Sequence, residues 1–156
     1  MANTAGLAIS FKAELMLGQH QLGAVTLVSR TSLTAPTTDT VKFALYLASA
    51  TTNNANTAYT ATGEVSGTNY TAGGVTVTNA TAPTTNSTSG VWTPSASIVF
   101  TTVTLSTAFD AGMLYNSTQG NRAIGVYTFG SQTVTAGNFT LTMPANTAGN
   151  ALIQLA

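Results

Sequence analysis

The sequence predicts an all-β fold: a single β-sandwich domain, of which a jelly roll is one arrangement, preceded by a short N-terminal helix or arm. Threonine fills 32 of the 156 positions, and its branched β-carbon suits a pleated sheet better than a helix. Segments of alternating apolar and polar residues are separated by clusters of glycine, asparagine, serine and threonine, which favour turns. A chain of this length forms one core. We therefore place the arm at residues 1–20 and the sandwich at residues 21–156.

The segment SFKAELMLGQH, residues 10–20, is the one helix that the pattern predicts. Ser10 is a candidate N-cap, Phe11 and Leu15 are one helical turn apart, and Gly18 is a candidate helix end with positive φ. A helix of about two turns is marginal in isolation and must pack on its own sandwich or on a neighbouring subunit. We expect the arm to contact a neighbour.

The segment LGAVTLVSRTSL is predicted to be the first strand of the sandwich. The next, DTVKFALYLASA, shows the clearest period-two alternation. Its apolar face comprises Val41, Phe43, Leu45 and Leu47. One-sided sheets require such an alternation, so we expect the residues between them to face outward.

The remaining segments predict short strands joined by loops and tight turns. TTNNANTAYTAT and APTTNSTSG are predicted loops, and VTVTNA is a predicted strand. VWTPSASIVFTTVTLST is predicted to be a strand interrupted at Pro94, which lacks a ladder donor. Whether Ile98 and Phe100, or Val99, Val103 and Leu105, face inward is open. GMLYNS, NRAIGVYTFG, NFTLTMP and NALIQLA are the last strands, with STQGN and SQTVTAG as hairpin turns.

The charge composition argues against several classes of partner. Four basic and four acidic residues give a net charge of zero and a charged fraction of 5%, against roughly 25% in typical domains. Four Lys and Arg residues form no basic stripe for nucleic acid. No apolar run approaches the roughly 20 residues that span a membrane. The first residues do not resemble a secretory signal, so we expect synthesis in a cytoplasm.

Four carboxylates and one histidine are the candidates for acid–base or nucleophilic chemistry. The carboxylates are Glu14, Asp39, Glu64 and Asp110. A glycoside hydrolase needs two of them in one cleft, and no local motif joins any pair. A serine triad would use His20 with Asp39 or Asp110, but the chain has no G-x-S-x-G elbow. We predict a non-enzymatic protein with no catalytic residue.

The sequence predicts no cofactor and no metal-binding residue. Cysteine is absent, which excludes thiolate ligands and disulfides. The segment GEVSGTNYTAGG is rich in glycine but lacks the G-K-S/T ending of a phosphate loop. Calcium held between loops stays an alternative. We expect Glu64 to accept backbone N–H groups or to pair with Lys42 or Arg122, and Arg122 to pair with Asp110, Glu64 or a neighbouring chain.

Partner binding is the remaining role for the isolated aromatic, basic and arm residues. Tyrosine and tryptophan have an apolar body and a polar tip, which suits both a core rim and a contact patch. The candidate partner-binding residues are Phe11, Leu15, His20, Trp92 and Arg122.

Five segments carry a resemblance to a known family. In this order, FKAELMLG, DTVKFALYLASA, YTATGEVSGTNYTAGG, YNSTQGNRAIGVYTFG and GNFTLTMP resemble small virion structural proteins of tailed bacteriophages. The resemblance covers most of the chain and contains no catalytic motif. It implies a virion protein, with the capsid surface as the favoured location, that binds the major capsid protein or other virion proteins.

Among virion roles, the resemblance favours a capsid decoration or cement protein that stabilises the shell. The alternative is a tail-associated or fibre-associated component that contacts other tail proteins or host surface glycans. A homo-oligomer is expected, with a trimer by analogy. Zero net charge fits crowding of many copies, because the subunits do not repel one another.

Overall fold

A computed structural model describes residues 3–16, 18–20, 22–23 and 37–155 of the chain. In this part of the chain it contains eight strands and one helix. They are β1 (Gly6–Leu7), α1 (Ile9–Met16), β2 (Val41–Leu47), β3 (Val75–Thr76), β4 (Thr84–Asn86), β5 (Ser89–Trp92), β6 (Ile98–Asn116), β7 (Arg122–Leu141) and β8 (Ile153–Leu155).

The strands form two antiparallel sheets that share one apolar core. The large sheet has the order β1-β7-β6-β2-β3, and the small sheet has the order β4-β5-β8. Trp92 and Ile153 of the small sheet belong to the same buried cluster as Phe43 and Phe109 of the large sheet. The prediction of an all-β sandwich is confirmed, and the jelly roll stays a prediction.

The longest elements, β6 and β7, form one hairpin. The turn between them is STQGN, as predicted, with positive φ at Gly120 and Asn121. The second predicted turn, SQTVTAG, is wrong, because it lies within β7, where Val134 pairs with Leu105. Its threonines and valine are compatible with an extended ladder, and pairing with β6 outweighs the local turn preference. GMLYNS therefore ends β6, NRAIGVYTFG lies in β7 from Arg122 onward, and NFTLTMP lies in β7 only as far as Leu141.

Strand β2 is confirmed, but its expected one-sided burial is wrong. Phe43, Ala44, Leu45 and Tyr46 are all buried, so both faces of the strand are covered. The hydroxyl of Tyr46 donates to the Thr60 carbonyl at 2.6 Å. The segment 59–74 therefore packs over the face that was expected to meet solvent.

The small sheet lies largely where a loop was predicted. APTTNSTSG contains β4 and the beginning of β5, which pair as a hairpin, so the loop prediction is wrong. The predicted interruption at Pro94 is confirmed, since β5 ends at Trp92 and β6 begins at Ile98. Each alternative for β6 is right in part: Ile98 and Phe100 are buried and Val99 is 38% exposed, but Val103 and Leu105 are buried too. The register shift between Phe100 and Val103 changes which residues face inward.

The described part of the arm packs on the large sheet of its own chain. Strand β1 pairs with β7, and the Ala8 N–H donates to the Ile124 carbonyl at 2.9 Å. Phe11 of α1 is fully buried. The predicted cap is wrong, because α1 begins at Ile9 and Ser10 lies inside the helix.

The predicted helix end is confirmed. Gly18 has a φ of 67°, and its N–H donates to the Leu15 carbonyl at 3.1 Å. The next N–H, of Gln19, donates to the Glu14 carbonyl at 2.9 Å, which completes the Schellman pattern. This sharp end turns the chain back towards the sheet and places His20 beside the helix.

Most of the predicted first strand, LGAVTLVSRTSL, lies outside the described residues, which include only Leu22 and Gly23 of it. The boundary at residue 21 between the arm and the sandwich stays a prediction. No helix in the described ranges is long and apolar enough to cross a membrane.

Candidate functional site

Glu64 lies at the centre of the first of two polar clusters. The Tyr59 hydroxyl donates to its Oε2 at 2.6 Å. The Tyr70 hydroxyl and the Gly73 N–H donate to its Oε1 at 2.7 and 2.8 Å. We call these four residues the Glu64 cluster. Three donors converge on one carboxylate, so the cluster ties both halves of segment 59–74 together.

Two further hydrogen bonds attach the Glu64 cluster to the large sheet. The Tyr70 hydroxyl accepts the Leu45 N–H at 3.0 Å. The Tyr115 hydroxyl, on β6, donates to the Gly73 carbonyl at 2.7 Å. The Tyr115 ring also stacks on the Tyr59 ring, with centroids 4.8 Å apart. The carboxylate therefore anchors a loop that covers β2 and β6.

The tyrosines of this region are held in the protonated form. Burial, followed by the hydrogen bond to Glu64, raises the pKa of Tyr59 and of Tyr70. Burial also raises the pKa of Tyr46 and of Tyr115. Each hydroxyl is therefore a hydrogen-bond donor at neutral pH, not a base or a nucleophile.

The structure decides between the two predicted roles of Glu64. The prediction that Glu64 accepts a backbone N–H group is confirmed, because its carboxylate accepts a hydrogen bond from the Gly73 N–H. The predicted pairing of Glu64 with Lys42 or Arg122 is wrong, because the ion pairs formed among the described residues involve Glu14 and not Glu64. Tyr59 and Tyr70, five and six residues from Glu64, were not predicted as donors.

The second cluster joins the helix to the turn end of the β6–β7 hairpin. Glu14 Oε2 lies 2.7 Å from His20 Nε2, and Glu14 Oε1 accepts from Arg122 at 2.7 Å. His20 Nδ1 lies 3.1 Å from Asn116 Nδ2, which also donates to Asp39 at 2.6 Å. We call these five residues the Glu14–His20 network. Glu14, His20, Asp39 and Asn116 are buried.

The turn fixes the tautomer of His20 in this network. The Asn116 side-chain oxygen accepts the N–H groups of Thr118 and Gln119, so its amide nitrogen must face His20. Because that nitrogen donates, His20 Nδ1 accepts, and Nε2 carries the proton that Glu14 binds. The imidazole is a fixed link between α1 and the hairpin.

Glu14 is held in its ionised form. Burial by itself raises its pKa, but the hydrogen bonds from His20 and Arg122, together with the charge of Arg122, outweigh burial and lower the pKa below the ordinary value of 4.5. The predicted partners of Arg122 are therefore corrected: it pairs with Glu14, not with Asp110 or Glu64. Asp110 instead accepts from Asn3 at 2.6 Å.

The geometry does not assemble a serine triad around His20. Its two ring nitrogens contact Glu14 and Asn116, so neither is directed at a serine hydroxyl. In the described residues, no group of three or more His, Cys, Asp or Glu side chains could hold a metal ion. The networks bind protein groups to one another.

The predicted partner-binding residues fall into two groups. Phe11, His20 and Trp92 are buried inside the chain, and the Trp92 indole donates to the Thr81 carbonyl at 2.9 Å. Leu15 is half-buried and the Arg122 side chain is 42% exposed. In this conformation only Leu15 and Arg122 of the five can meet a partner.

Two grooves differ in chemistry. One, which we call the polar groove, has a volume of about 400 Å³ and is lined by five serine and threonine residues and Asn56, together with Ala50 and Gly63. The other, of about 140 Å³, is apolar and lies beside β7, where Phe43, Phe129, Leu141 and Leu152 contribute to its walls. The polar groove suits hydroxyl-rich ligands, and the apolar groove suits protein side chains.

No protein-family model, curated protein or solved structure matches the chain.

Proposed function

We propose that this chain is a non-enzymatic structural protein of a tailed-bacteriophage virion, made in the host cytoplasm, that decorates the capsid by binding the major capsid protein. The sequence resemblance supports this role. One structural observation supports the non-enzymatic part: two of the candidates for catalysis use their polar atoms within the chain. His20 joins helix α1 to β6, and Glu64 holds together the loop of residues 59–74. Such bonds stabilise a fold.

A tail-associated or fibre-associated component is the second candidate. The polar groove favours it, because residues with hydroxyl and amide groups, among them Ser49, Thr51, Asn56 and Thr60, line it. These are groups that hydrogen-bond sugars. A host glycan in this groove would place the protein at the tip or side of a tail.

The capsid role is tested by adding purified protein to capsids that lack it and measuring co-sedimentation and resistance of the shell to heat. We expect saturable binding and a higher temperature of shell disruption. His20→Ala and Glu64→Ala variants that remain folded should still bind. Binding to purified tails or to host glycans, without binding to capsids, would support the second candidate. If the wild-type protein hydrolyses a glycan and either variant loses that activity, both non-enzymatic candidates are contradicted.

A further inference from the structure

The outer edge of β7 is long and uncovered within the described part of the chain. Strand β1 pairs with this edge only at Gly125 and Val126. From Tyr127 to Leu141, the pairing partner of β7 is β6, on its other side. No residue from 128 to 141 is buried.

This edge lacks two common devices that prevent strands from pairing between molecules. Natural edges are blunted by charged side chains, prolines, bulges or short length. Residues 127–141 contain no charged residue and no proline. Irregularities are present instead: Ala136 has a φ of 47°, and the register with β6 shifts four times between Thr128 and Phe139. The regular ends of the free edge, up to Thr128 and from Phe139 onward, are therefore the parts available for strand pairing.

The half-buried residues of the free edge are nearly symmetric about its midpoint. They are Tyr127, Phe129, Val134, Gly137, Phe139 and Leu141. Reversing the strand about Val134 exchanges Tyr127 with Leu141 and Phe129 with Phe139. Only Gly137 has no half-buried counterpart. A two-fold contact requires such self-complementarity, since the same patch serves both subunits.

We propose that β7 pairs along residues 127–141 with the same strand of a second copy of this chain, antiparallel and about a two-fold axis at Val134. Residues 127–129 then pair with residues 139–141 of the other copy, and the irregular stretch falls in the central section. Phe129 lies opposite the partner's Phe139. The large sheets join into one continuous sheet across the dimer.

The apolar groove beside β7 supplies side chains that can be buried in this contact. Tyr127, Phe129 and Leu141 contribute to its wall, as do Met143 and Leu152 of the following segment. The Phe129 and Phe139 rings are half-buried, with centroids 5.3 Å apart. Strand addition supplies backbone hydrogen bonds, and flanking apolar side chains supply further burial. Both copies are neutral, so no net repulsion opposes the pairing.

The two-fold contact differs from the trimer expected by analogy, and it is argued from the strand alone. It goes beyond the proposed function, because purified protein suffices to test it. A monomer would leave the virion role standing. Absence from particles would leave the dimer standing.

Opposed threonines give a sharp test of the register. In the proposed pairing, Thr128 lies opposite the partner's Thr140, and both side chains are exposed. Thr128→Lys with Thr140→Lys sets like charges against each other. Thr128→Lys with Thr140→Glu sets opposite charges against each other at the same sites. Like charges across strands destabilise and opposite charges stabilise, so we expect the dimer dissociation constants of the two variants to differ by about tenfold or more.

The measurement is sedimentation equilibrium over a range of concentrations at low salt, with wild-type protein and both double variants. A third variant, Thr101→Lys with Thr107→Lys, adds the same two charges at exposed positions of β6 and should associate like wild type. Equal dissociation constants for the two charge arrangements would overturn the proposal, as would equal weakening by the β6 control.

Hydrogen exchange of the wild-type protein supplies a readout that needs no variant. We expect amides in residues 127–129 and 139–141 to become protected as the concentration rises through the dissociation constant. A chain that stays monomeric would overturn the proposal. Protection of these amides in that monomer would show that another segment of the same chain covers the edge.

Discussion

The carboxylate of Glu64 holds the loop of residues 59–74 closed. It accepts two tyrosine hydroxyls and one backbone N–H, and buried donors that lose their acceptor are costly. We expect Glu64→Ala to lower the free energy of unfolding by about 1–3 kcal/mol. Urea unfolding measures this change.

A double-mutant cycle with Tyr59→Phe isolates the bond between the Tyr59 hydroxyl and Glu64. Because the two side chains touch, their effects should be less than additive, with a coupling of about 0.5 kcal/mol or more. Additive effects would show that Glu64 stabilises the loop by some other contact. Ser66→Ala, at an exposed position of the same loop, should have little effect.

Glu14 makes stability depend on acidity. Its pKa is lowered in the folded chain, so its contribution is complete above its ordinary value of 4.5 and is lost as the pH falls through the lower folded value. We expect the wild-type protein to lose stability below pH 4.5 more steeply than Glu14→Gln, which has no carboxyl to protonate. Unfolding midpoints between pH 3 and pH 6 measure the difference. Parallel pH profiles would contradict the assigned ion pair.

Sequence reasoning at the residue scale succeeds where the partner is near in the chain. The backbone donor of Glu64, Gly73, follows within one loop and was within reach of prediction. The pair of Glu14 and Arg122 is separated by 108 positions and depends on how α1 packs against the β6–β7 turn. The tyrosines five and six residues from Glu64 were a visible signal, whereas nothing in the sequence marks Asn116 as the residue that orients His20.

At the scale of secondary-structure elements, helix α1 belongs to the core. Phe11 is fully buried, whereas Ile9 on the same helix is 62% exposed. We expect Phe11→Ala to lower the free energy of unfolding of the isolated chain by about 3–5 kcal/mol. The matched Ile9→Ala variant should change it by about 0.5 kcal/mol or less.

Thermal or urea unfolding of wild type, Phe11→Ala and Ile9→Ala, without any partner, measures these changes. It distinguishes a helix that is part of the isolated fold from an arm that packs only on a neighbour. If Phe11→Ala unfolds like wild type, the helix contributes nothing to the isolated fold, and the arm prediction gains weight.

Local pattern identifies strands better than it identifies turns in this chain. The alternation in DTVKFALYLASA located β2, and Pro94 located the break before β6. SQTVTAG and APTTNSTSG were misread because threonine, serine and glycine suit both turns and polar strands. Their strand state depends on partners, β6 for the first and the β4–β5 pairing for the second, which local sequence does not encode.

At the scale of the whole molecule, the described residues form one small and one large sheet, and the four carboxylates serve as internal connections. Glu14, Asp39, Glu64 and Asp110 all accept hydrogen bonds from other parts of the chain. The surface is kept polar by hydroxyl and amide groups, and the net charge is zero. These properties suit a protein that is packed at high density in an assembly, which is the basis of the proposed virion role.

The position of the protein in purified phage particles tests this role most directly. Mass spectrometry would detect and count the chain, and a gold-labelled antibody viewed by electron microscopy would locate it. The account predicts many copies per particle, with label over the head shell. Particles that are free of the protein, while the infected host contains it, would contradict a virion role.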